Sequence, residues 1–230
     1  MYDKDEVIQM TKIYAIHTST VSYNDLKALF AKYAPDVEYY SIVDDSLIQE
    51  VKTVGHITPD IISRMSAYFK IAETCGADLI FNQCSSVGEA ADIAAKGVNI
   101  PVVRIDEAMD EKAAEIGHRI ELIATVASTV APSERLLKRK IAEAGSDAAV
   151  DVCLVDGAMD MVMQGKVEEH NRLVKEAIVK AAKDHDVIVL AQGSMTAILP
   201  YLSDVKVPVL TSPELGVQKA VKVLRESLEK

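Results

Sequence analysis

Tryptophan is absent from this 230-residue chain, and aromatic residues make up only 5% of it. An aromatic platform that stacks nucleic-acid bases is therefore not expected. Basic residues are in the minority, 25 against 35 acidic ones, for a net charge of −10. Proteins that bind nucleic acid or an anionic membrane usually carry a basic surface. We expect neither as a partner.

Cysteine is scarce as well: there are three, and no two form a C-x-x-C pair. This argues against a disulfide framework and against a structural zinc site. The chain also lacks G-x-G-x-x-G, the Walker lysine motif and H-E-x-x-H. Those absences give no support to dinucleotide, ATP or zinc-protease chemistry. We expect no metal and no organic cofactor.

Long apolar runs are missing too, and none approaches the length of a membrane span. The first residues, Met1–Glu6, are mostly charged and lack the apolar segment of a signal peptide. We therefore expect a cytoplasmic protein. Its hydrophobic content of 49% is enough to build a substantial core.

Apolar runs of strand length alternate with helical patterns along the whole chain, which predicts an α/β fold with parallel strands. The order then repeats. Lys12–Thr18 is matched by Arg119–Thr125, 107 positions later, and Pro101 by Pro208 at the same offset. We interpret this as an internal duplication. It predicts two pseudo-symmetric βα lobes with parallel sheets and a cleft between them, which is where pockets tend to form. Lobe 1 comprises residues 1–105 and 213–230, and lobe 2 comprises residues 106–212.

Small polar residues follow the strands at four places. Such loops can hold a carboxylate through hydroxyl groups and the N–H groups of helix starts. None of the four contains lysine or arginine. The alternative is that the hydroxyl residues only cap helices; four loops at the same topological position favour a binding site. The predicted substrate-binding residues are Thr18, Ser19, Ser85, Ser86, Thr125, Ser128, Thr129, Gln192, Gly193 and Ser194.

Cys84 is the main candidate for chemistry. It follows the apolar run Ala77–Phe81 and precedes a helical pattern that begins at Glu89. A thiol at such a strand-to-helix turn can ionise and act as a base or nucleophile. The alternative is a small buried hydrophobic residue, which is our prediction for Cys75 and Cys153.

His17 follows the first strand and is a second catalytic candidate, as an acid or base beside Cys84. A buried structural histidine is the alternative. His185 and the remaining histidines are predicted to lie on the surface. Arg104 ends a strand and can meet a substrate carboxylate or form a salt bridge. Asp106 is expected only to favour the start of a helix.

Two duplicated βα lobes, the Cys84-Ser85-Ser86 turn and Leu190–Ser194 together resemble the aspartate/glutamate/hydantoin racemase superfamily, which includes arylmalonate decarboxylase and maleate isomerase. The resemblance covers Lys12 to about Leu224. It implies a small carboxylate substrate, no cofactor, and two thiols on opposite faces of the substrate's α-carbon. Members of the superfamily commonly form dimers, so a homodimer is one expected assembly.

The chain departs from this pattern at Gln192, where the resemblance places the second cysteine. An amide has no titratable group and cannot serve as the second base, so two-thiol racemisation is not expected. Three interpretations stay open. Another group such as His17 replaces the thiol and the chain acts at the carbon next to a carboxylate as a racemase. Cys84 alone carries a decarboxylation or a cis–trans isomerisation. Or the chain binds a small acid without catalysis.

Overall fold

The computed structural model describes residues 10–229. The charged segment Met1–Glu6 and the outer ends of the predicted lobe 1 lie outside this range. The described chain forms two four-stranded, all-parallel sheets with helices around them, which confirms the predicted α/β class. No helix within residues 10–229 is long and apolar enough to cross a bilayer.

The first sheet has the strand order β2-β1-β3-β4. Its strands are β1 (Lys12–His17), β2 (Glu38–Val43), β3 (Leu79–Asn82) and β4 (Val102–Arg104). The helices of this half are α1 (Tyr23–Tyr33), α2 (Ser46–Val54), α3 (Pro59–Thr74) and α4 (Gly88–Ala94). A 3₁₀ turn at Ser85–Val87 precedes α4, and another at Ala95–Gly97 follows it.

The second sheet has the equivalent order β6-β5-β7-β8. Its strands are β5 (Arg119–Ala124), β6 (Ala149–Leu154), β7 (Val187–Leu190) and β8 (Val209–Thr211). The remaining helices are α5 (Glu107–Ile116), which joins the two halves, α6 (Ala127–Glu143), α7 (Ala158–Met163), α8 (Val167–Ala181) and the last helix, α9 (Ser212–Leu228). A 3₁₀ segment, Gly193–Tyr201, follows β7.

Hydrogen bonds repeat between the halves as closely as the sequence does. The Asp78 carboxylate accepts a bond of 2.8 Å from the backbone N–H of Lys12, and the Asp186 carboxylate accepts one of 3.0 Å from Arg119. The backbone of Ile80 donates to Pro101, as that of Ile188 does to Pro208, both at 2.9 Å. These pairs share the offsets found in the sequence, so the structure supports the predicted duplication.

Local signals set several of the boundaries. Thr58 caps α3 by accepting a hydrogen bond from the Ile61 backbone N–H at 3.2 Å, and Pro59 occupies the first helical position, as predicted. Gly55 and Gly165 each stand between a short and a long helix and have positive φ angles of 84° and 75°. Glycine adopts this conformation without the steric cost other residues incur.

Helix α9 follows the last strand of the second sheet but packs against α1, β3 and β4 of the first, as well as against α5. It buries Val217, Ala220 and Leu224 completely. Complete burial of a leucine-sized side chain contributes about 1.5–3 kcal/mol to stability. A Cβ on Gly216 would stand 2.4 Å from the carbonyl oxygen of Ile105, so glycine permits this close approach. The lobe boundaries at residues 105 and 212 stay a prediction.

Candidate active site

Cys84 stands two residues after the end of β3 and begins the turn that leads into α4. We call residues 84–88 the thiol turn. Cys84 has extended backbone angles (φ −117°, ψ 118°), and its side chain is a half-buried free thiol. The fully buried Asn82 donates a hydrogen bond of 3.0 Å from its amide nitrogen to the Cys84 carbonyl oxygen. This bond holds the start of the turn in place.

Gln83 ties the thiol turn to the loop after β1. Its backbone N–H donates to the Ile16 carbonyl oxygen at 3.1 Å, and its side-chain amide donates to the Ser22 hydroxyl at 2.8 Å. Strands β1 and β3 are direct neighbours in the sheet. The structure therefore brings the loop that carries Thr18 and Ser19 beside the thiol turn, as the sequence predicts for neighbouring strands.

Arg104 lies beneath the thiol turn and is only 3% exposed. Its guanidinium forms two hydrogen bonds with the Asp106 carboxylate, at 2.9 and 3.1 Å, and one with Asp92 of α4 at 3.0 Å. Gly88 packs directly on this guanidinium, because a Cβ there would stand 2.2 Å from it. Of the two uses predicted for Arg104, the structure therefore shows the salt bridge. Asp106, which was expected only to favour a helix start, is half of this buried pair.

His17 is the last residue of β1 rather than part of the following loop, and it has no exposed surface. Its Nε2 atom lies 2.9 Å from the Tyr39 hydroxyl and 3.4 Å from the Ser41 hydroxyl. Burial lowers the pKa of His17 to about 4, so the ring is neutral at physiological pH. Direct proton transfer between His17 and a substrate would require this part of the fold to open.

Gln192 occupies the equivalent position in the second half. The backbone N–H of Ala191 donates to the carbonyl oxygen of Ile123 at 2.9 Å, as that of Gln83 does to Ile16. The residues that follow, Cys84 and Gln192, are therefore structural counterparts. We call residues 192–196 the amide turn.

The Gln192 side chain has a fixed orientation. Its Oε1 atom accepts hydrogen bonds from the backbone N–H of Thr125 at 3.0 Å and from the Thr125 hydroxyl at 3.3 Å. Because an N–H must face an oxygen, the amide nitrogen points away from Thr125. Within residues 10–229 that nitrogen is buried and has no hydrogen-bond partner. Gln192 therefore has two N–H donors that find no acceptor among the described residues.

Other predicted binding residues lie nearby, with some corrections. Ser128 and Thr129 belong to the first turn of α6 rather than to a loop, and Gly193 and Ser194 lie in a 3₁₀ segment. Neither hydroxyl of α6 is a cap, because the N-cap position is Val126 and no side chain accepts a capping hydrogen bond there. The hydroxyls of Ser128 and Thr196 are buried and lack a partner within the described chain. Ser194 is exposed, whereas Thr18, Ser85, Ser86, Thr125 and Thr129 are buried.

Helix α6 contacts the 3₁₀ turn Ser85–Val87, so the thiol turn of the first half adjoins a helix of the second. Two arginines of α6 reach across to α4. Arg135 forms hydrogen bonds with Glu89 at 2.5 and 3.1 Å, and Arg139 forms one with Asp92 at 3.0 Å. The helices that begin beside Cys84 and beside Thr125 are thereby joined by ion pairs.

One cluster within the described residues has the composition of a metal site. Ligand atoms of Glu121, Asp151 and His185 lie within 4.8 Å of one another. His185 Nε2 is 3.0 Å from Glu121 and 2.9 Å from Asp151, and Nδ1 is 3.0 Å from the Ala181 carbonyl oxygen. A protonated imidazole satisfies all of these contacts. His185 is therefore a half-buried, ion-paired residue and not the surface residue predicted.

Asn82, Ser22 and Tyr39 were not singled out by the sequence analysis, although each holds a site residue. Asn82 stands two residues before Cys84, so proximity in the chain is a signal that could have identified it. Tyr39 is aligned by the register of two strands, in which Ile13 pairs with Tyr39 and His17 with Val43. Its contact with His17 depends on side-chain direction and left no pattern in the sequence.

Two parallel α/β halves with matching strand-to-helix turns make up a two-lobed fold of the racemase class. A family model described as Asp/Glu/Hydantoin racemase matches residues 16–220. The chain therefore belongs to the Asp/Glu/hydantoin racemase family. No curated protein sequence matches it significantly.

Solved structures agree on the fold. The aspartate racemase of Picrophilus torridus superposes with a TM-score of 0.71 at 15% identity, covering 94% of each chain. The glutamate racemase isoform RacE1 of Bacillus anthracis gives 0.68 at 14% identity, covering 94% of this chain and 82% of that one. The allantoin racemase of Klebsiella pneumoniae gives 0.61 at 18% identity, covering 95% of this chain and 88% of that one. The TM-scores show the shared fold, and at these identities the likeness extends to the fold alone.

Proposed function

We propose that this protein is a cofactor-independent, racemase-like enzyme that acts at the carbon next to the carboxylate of a small acid. Cys84 is the base or nucleophile, and Gln192 is a hydrogen-bond donor. The observation that carries this proposal is the pairing of a half-buried thiol with an anchored amide at equivalent turns of two duplicated halves. Membership of a racemase family supports the reaction class.

The substrate's carboxylate is proposed to bind on the side of the amide turn. The donors there are the Gln192 amide nitrogen and the hydroxyls of Ser128 and Thr196, all buried and without partners among the described residues. The first N–H groups of α6 add to them, because a helix start has backbone donors that its own turns do not use. Thr18, Ser19, Ser85 and Ser86 would contact the substrate from the other side.

The proposed chemical step is a proton transfer to Cys84. The thiolate takes the proton from the α-carbon, and the electron pair of the broken C–H bond moves into the carboxylate. Donors at Gln192 stabilise the additional negative charge on those oxygens. A positioned base typically contributes about 10²–10⁴-fold to the rate, and one well-placed oxyanion donor about 10²–10³-fold.

The amide at Gln192 leaves only one face of the carbon with a group that can return a proton. An amide cannot deliver a proton in exchange for one taken, so we assign proton return to Cys84 itself. The α-hydrogen then exchanges with solvent, and the configuration at the α-carbon is retained. His17 is assigned a positioning role, since it is neutral, fully buried and bonded to Tyr39.

The same observation favours a second candidate. A single thiol is sufficient for a decarboxylation, in which one proton is delivered after CO₂ leaves. It is also sufficient for a cis–trans isomerisation, in which the thiol adds to a double bond and then departs. Neither reaction needs a base at the position of Gln192.

Proton NMR in D₂O with glutamine, aspartate, glutamate, hydantoins, malonates and maleate tests these assignments. We expect loss of an α-proton signal, release of CO₂ or isomerisation with at least one of these acids. Cys84→Ala should reduce that rate by at least about 100-fold. Cys153→Ala is the matched control and should leave the rate unchanged, because Cys153 lies inside β6.

Exchange that persists in Cys84→Ala would contradict the role of the thiol. Binding without turnover for every acid, measured by thermal shift, would instead indicate a non-catalytic small-acid binding protein.

A further inference from the structure

A cavity of about 180 Å³ adjoins Thr125, the residue that anchors Gln192. It lies at the carboxyl ends of β5 and β6, because Val155 follows β6 and its backbone N–H donates to Ala124 at 2.8 Å. Its lining includes Thr125, Val155, Asp156, Gly157, Met159 and Asp160. A substrate whose carboxylate binds the amide turn has this cavity beside it.

The charge of this lining has one sign. Asp156 and Asp160 are the charged residues of the cavity, and no lysine or arginine lines it. Both aspartates are exposed and open to the cavity's solvent. A second carboxylate on a substrate would meet two negative charges here.

Cations near the site are already paired. The four polar strand-end loops contain no lysine or arginine. Arg104 is buried against Asp106 and Asp92, and the two arginines that α6 extends across the lobes pair with Glu89 and Asp92. Within residues 10–229, none of these guanidinium groups is left to receive a substrate's distal carboxylate.

We infer that the substrate is a monocarboxylate whose distal end carries N–H or O–H donors, neutral or cationic, and that Asp156 and Asp160 select it against dicarboxylates. This inference rests on the proposed function, because it places the substrate between Cys84 and the amide turn. Its chemical basis is simple: carboxylates accept hydrogen bonds from amide, hydroxyl and ammonium groups and repel a like charge.

The charge of the cleft can be measured at Cys84 without knowing the substrate. In a background of Cys75→Ala and Cys153→Ala, Cys84 is modified by cationic and anionic methanethiosulfonate reagents of similar size. Asp156→Asn with Asp160→Asn should lower the cationic-to-anionic rate ratio by about three- to tenfold at low salt, with a smaller change at high salt.

The matched control is Asp147→Asn with Asp184→Asn. It removes the same charge from two exposed residues that precede β6 and β7, at the amino ends of the strands and so on the side of the sheet away from the cavity. This control should leave the ratio within about twofold of the parent value.

A second test compares glutamine with glutamate as substrates, since the two differ only in the distal group. Exchange or binding of glutamine should exceed that of glutamate by at least about tenfold, and the Asp156/Asp160 double variant should narrow the gap. An unchanged reagent ratio with a reactive Cys84, or a preference for glutamate, would overturn this inference alone. A Cys84 that does not react with either reagent would overturn the proposed function and this inference together.

Discussion

The thiol turn and the amide turn share a backbone position but differ in what they can do to a proton. Cys84 can gain and lose one, whereas the Gln192 amide can only form hydrogen bonds. The backbone bonds that place them, Gln83 to Ile16 and Ala191 to Ile123, are equivalent. The two halves therefore share a scaffold and differ in chemistry, so we expect a one-sided reaction.

A second difference lies one strand away. His17 and Ala124 are counterparts, since their carbonyl oxygens accept equivalent hydrogen bonds from Asp44 and Val155. The first half therefore has a buried titratable ring where the second has a methyl group. Variants of a histidine in each half show how much each contributes to the pH dependence of the free energy of unfolding.

Replacing His17 with glutamine should have the largest effect on stability. Burial lowers its folded pKa to about 4, against about 6.5 when unfolded, so unfolding takes up a proton between these values. The native protein should thus lose up to about 3 kcal/mol from this residue as the pH falls from 7 to 4. His17→Gln should remove that part of the slope, as measured by urea unfolding at several pH values. A variant with the native slope would show that His17 is not held neutral.

The glycines of the two turns give the next comparison. Gly88→Ala places a methyl group 2.2 Å from the Arg104 guanidinium, which is fixed by two carboxylates, whereas Gly193→Ala comes no nearer than 3.2 Å to its first neighbour, the Pro213 ring. Overpacking a buried site costs about 1–3 kcal/mol, so Gly88→Ala should be destabilising by that amount. Gly193→Ala should cost less than about 1 kcal/mol. Equal costs in denaturant unfolding would mean that Arg104 yields freely and does not support the thiol turn.

His185 should show the smallest effect and the opposite pH trend to His17. Burial lowers its pKa, but hydrogen bonds to Asp151 and Ala181 and the charge of Glu121 raise it overall above its ordinary value. The stabilisation is present below pH 6.5 and disappears as the pH rises through the folded pKa. His185→Gln should therefore cost about 0.5–1 kcal/mol at pH 5.5 and less at pH 9, because the pair is partly screened by solvent. A loss that is the same at both pH values would contradict an ion pair.

The fold was predictable because its signals are local and occur twice. Thr58 and Pro59 specify where α3 begins, and the alternation of apolar runs gives the parallel strands. The turn carrying Cys84 was predictable for the same reason, since it follows the buried strand β3 directly. The link between Thr125 and Gln192 also follows from topology, because β5 and β7 are neighbours.

Other parts of the site depend on three-dimensional packing that leaves no periodic trace. The predicted roles of His17 and Arg104 could not be decided from the chain, because both depend on which side chain happens to lie across the sheet. Asp110 is a further example. It is 1% exposed with no hydrogen-bond partner in the described chain, and burial, followed by the charge of Asp106, raises its pKa well above the ordinary value. In sequence it is indistinguishable from any acidic residue of a helix's first turn.

The central claim is that Cys84 acts from one face of the substrate only, and its most direct test is the configuration of the product. We would follow an exchanging acid in D₂O by NMR and chiral chromatography with the native protein and with Gln192→Cys, which restores a thiol to the amide turn. The account predicts deuterium incorporation with retention for the native protein, and inverted product only for Gln192→Cys. Rapid inversion by the native protein, with no gain from Gln192→Cys, would contradict it.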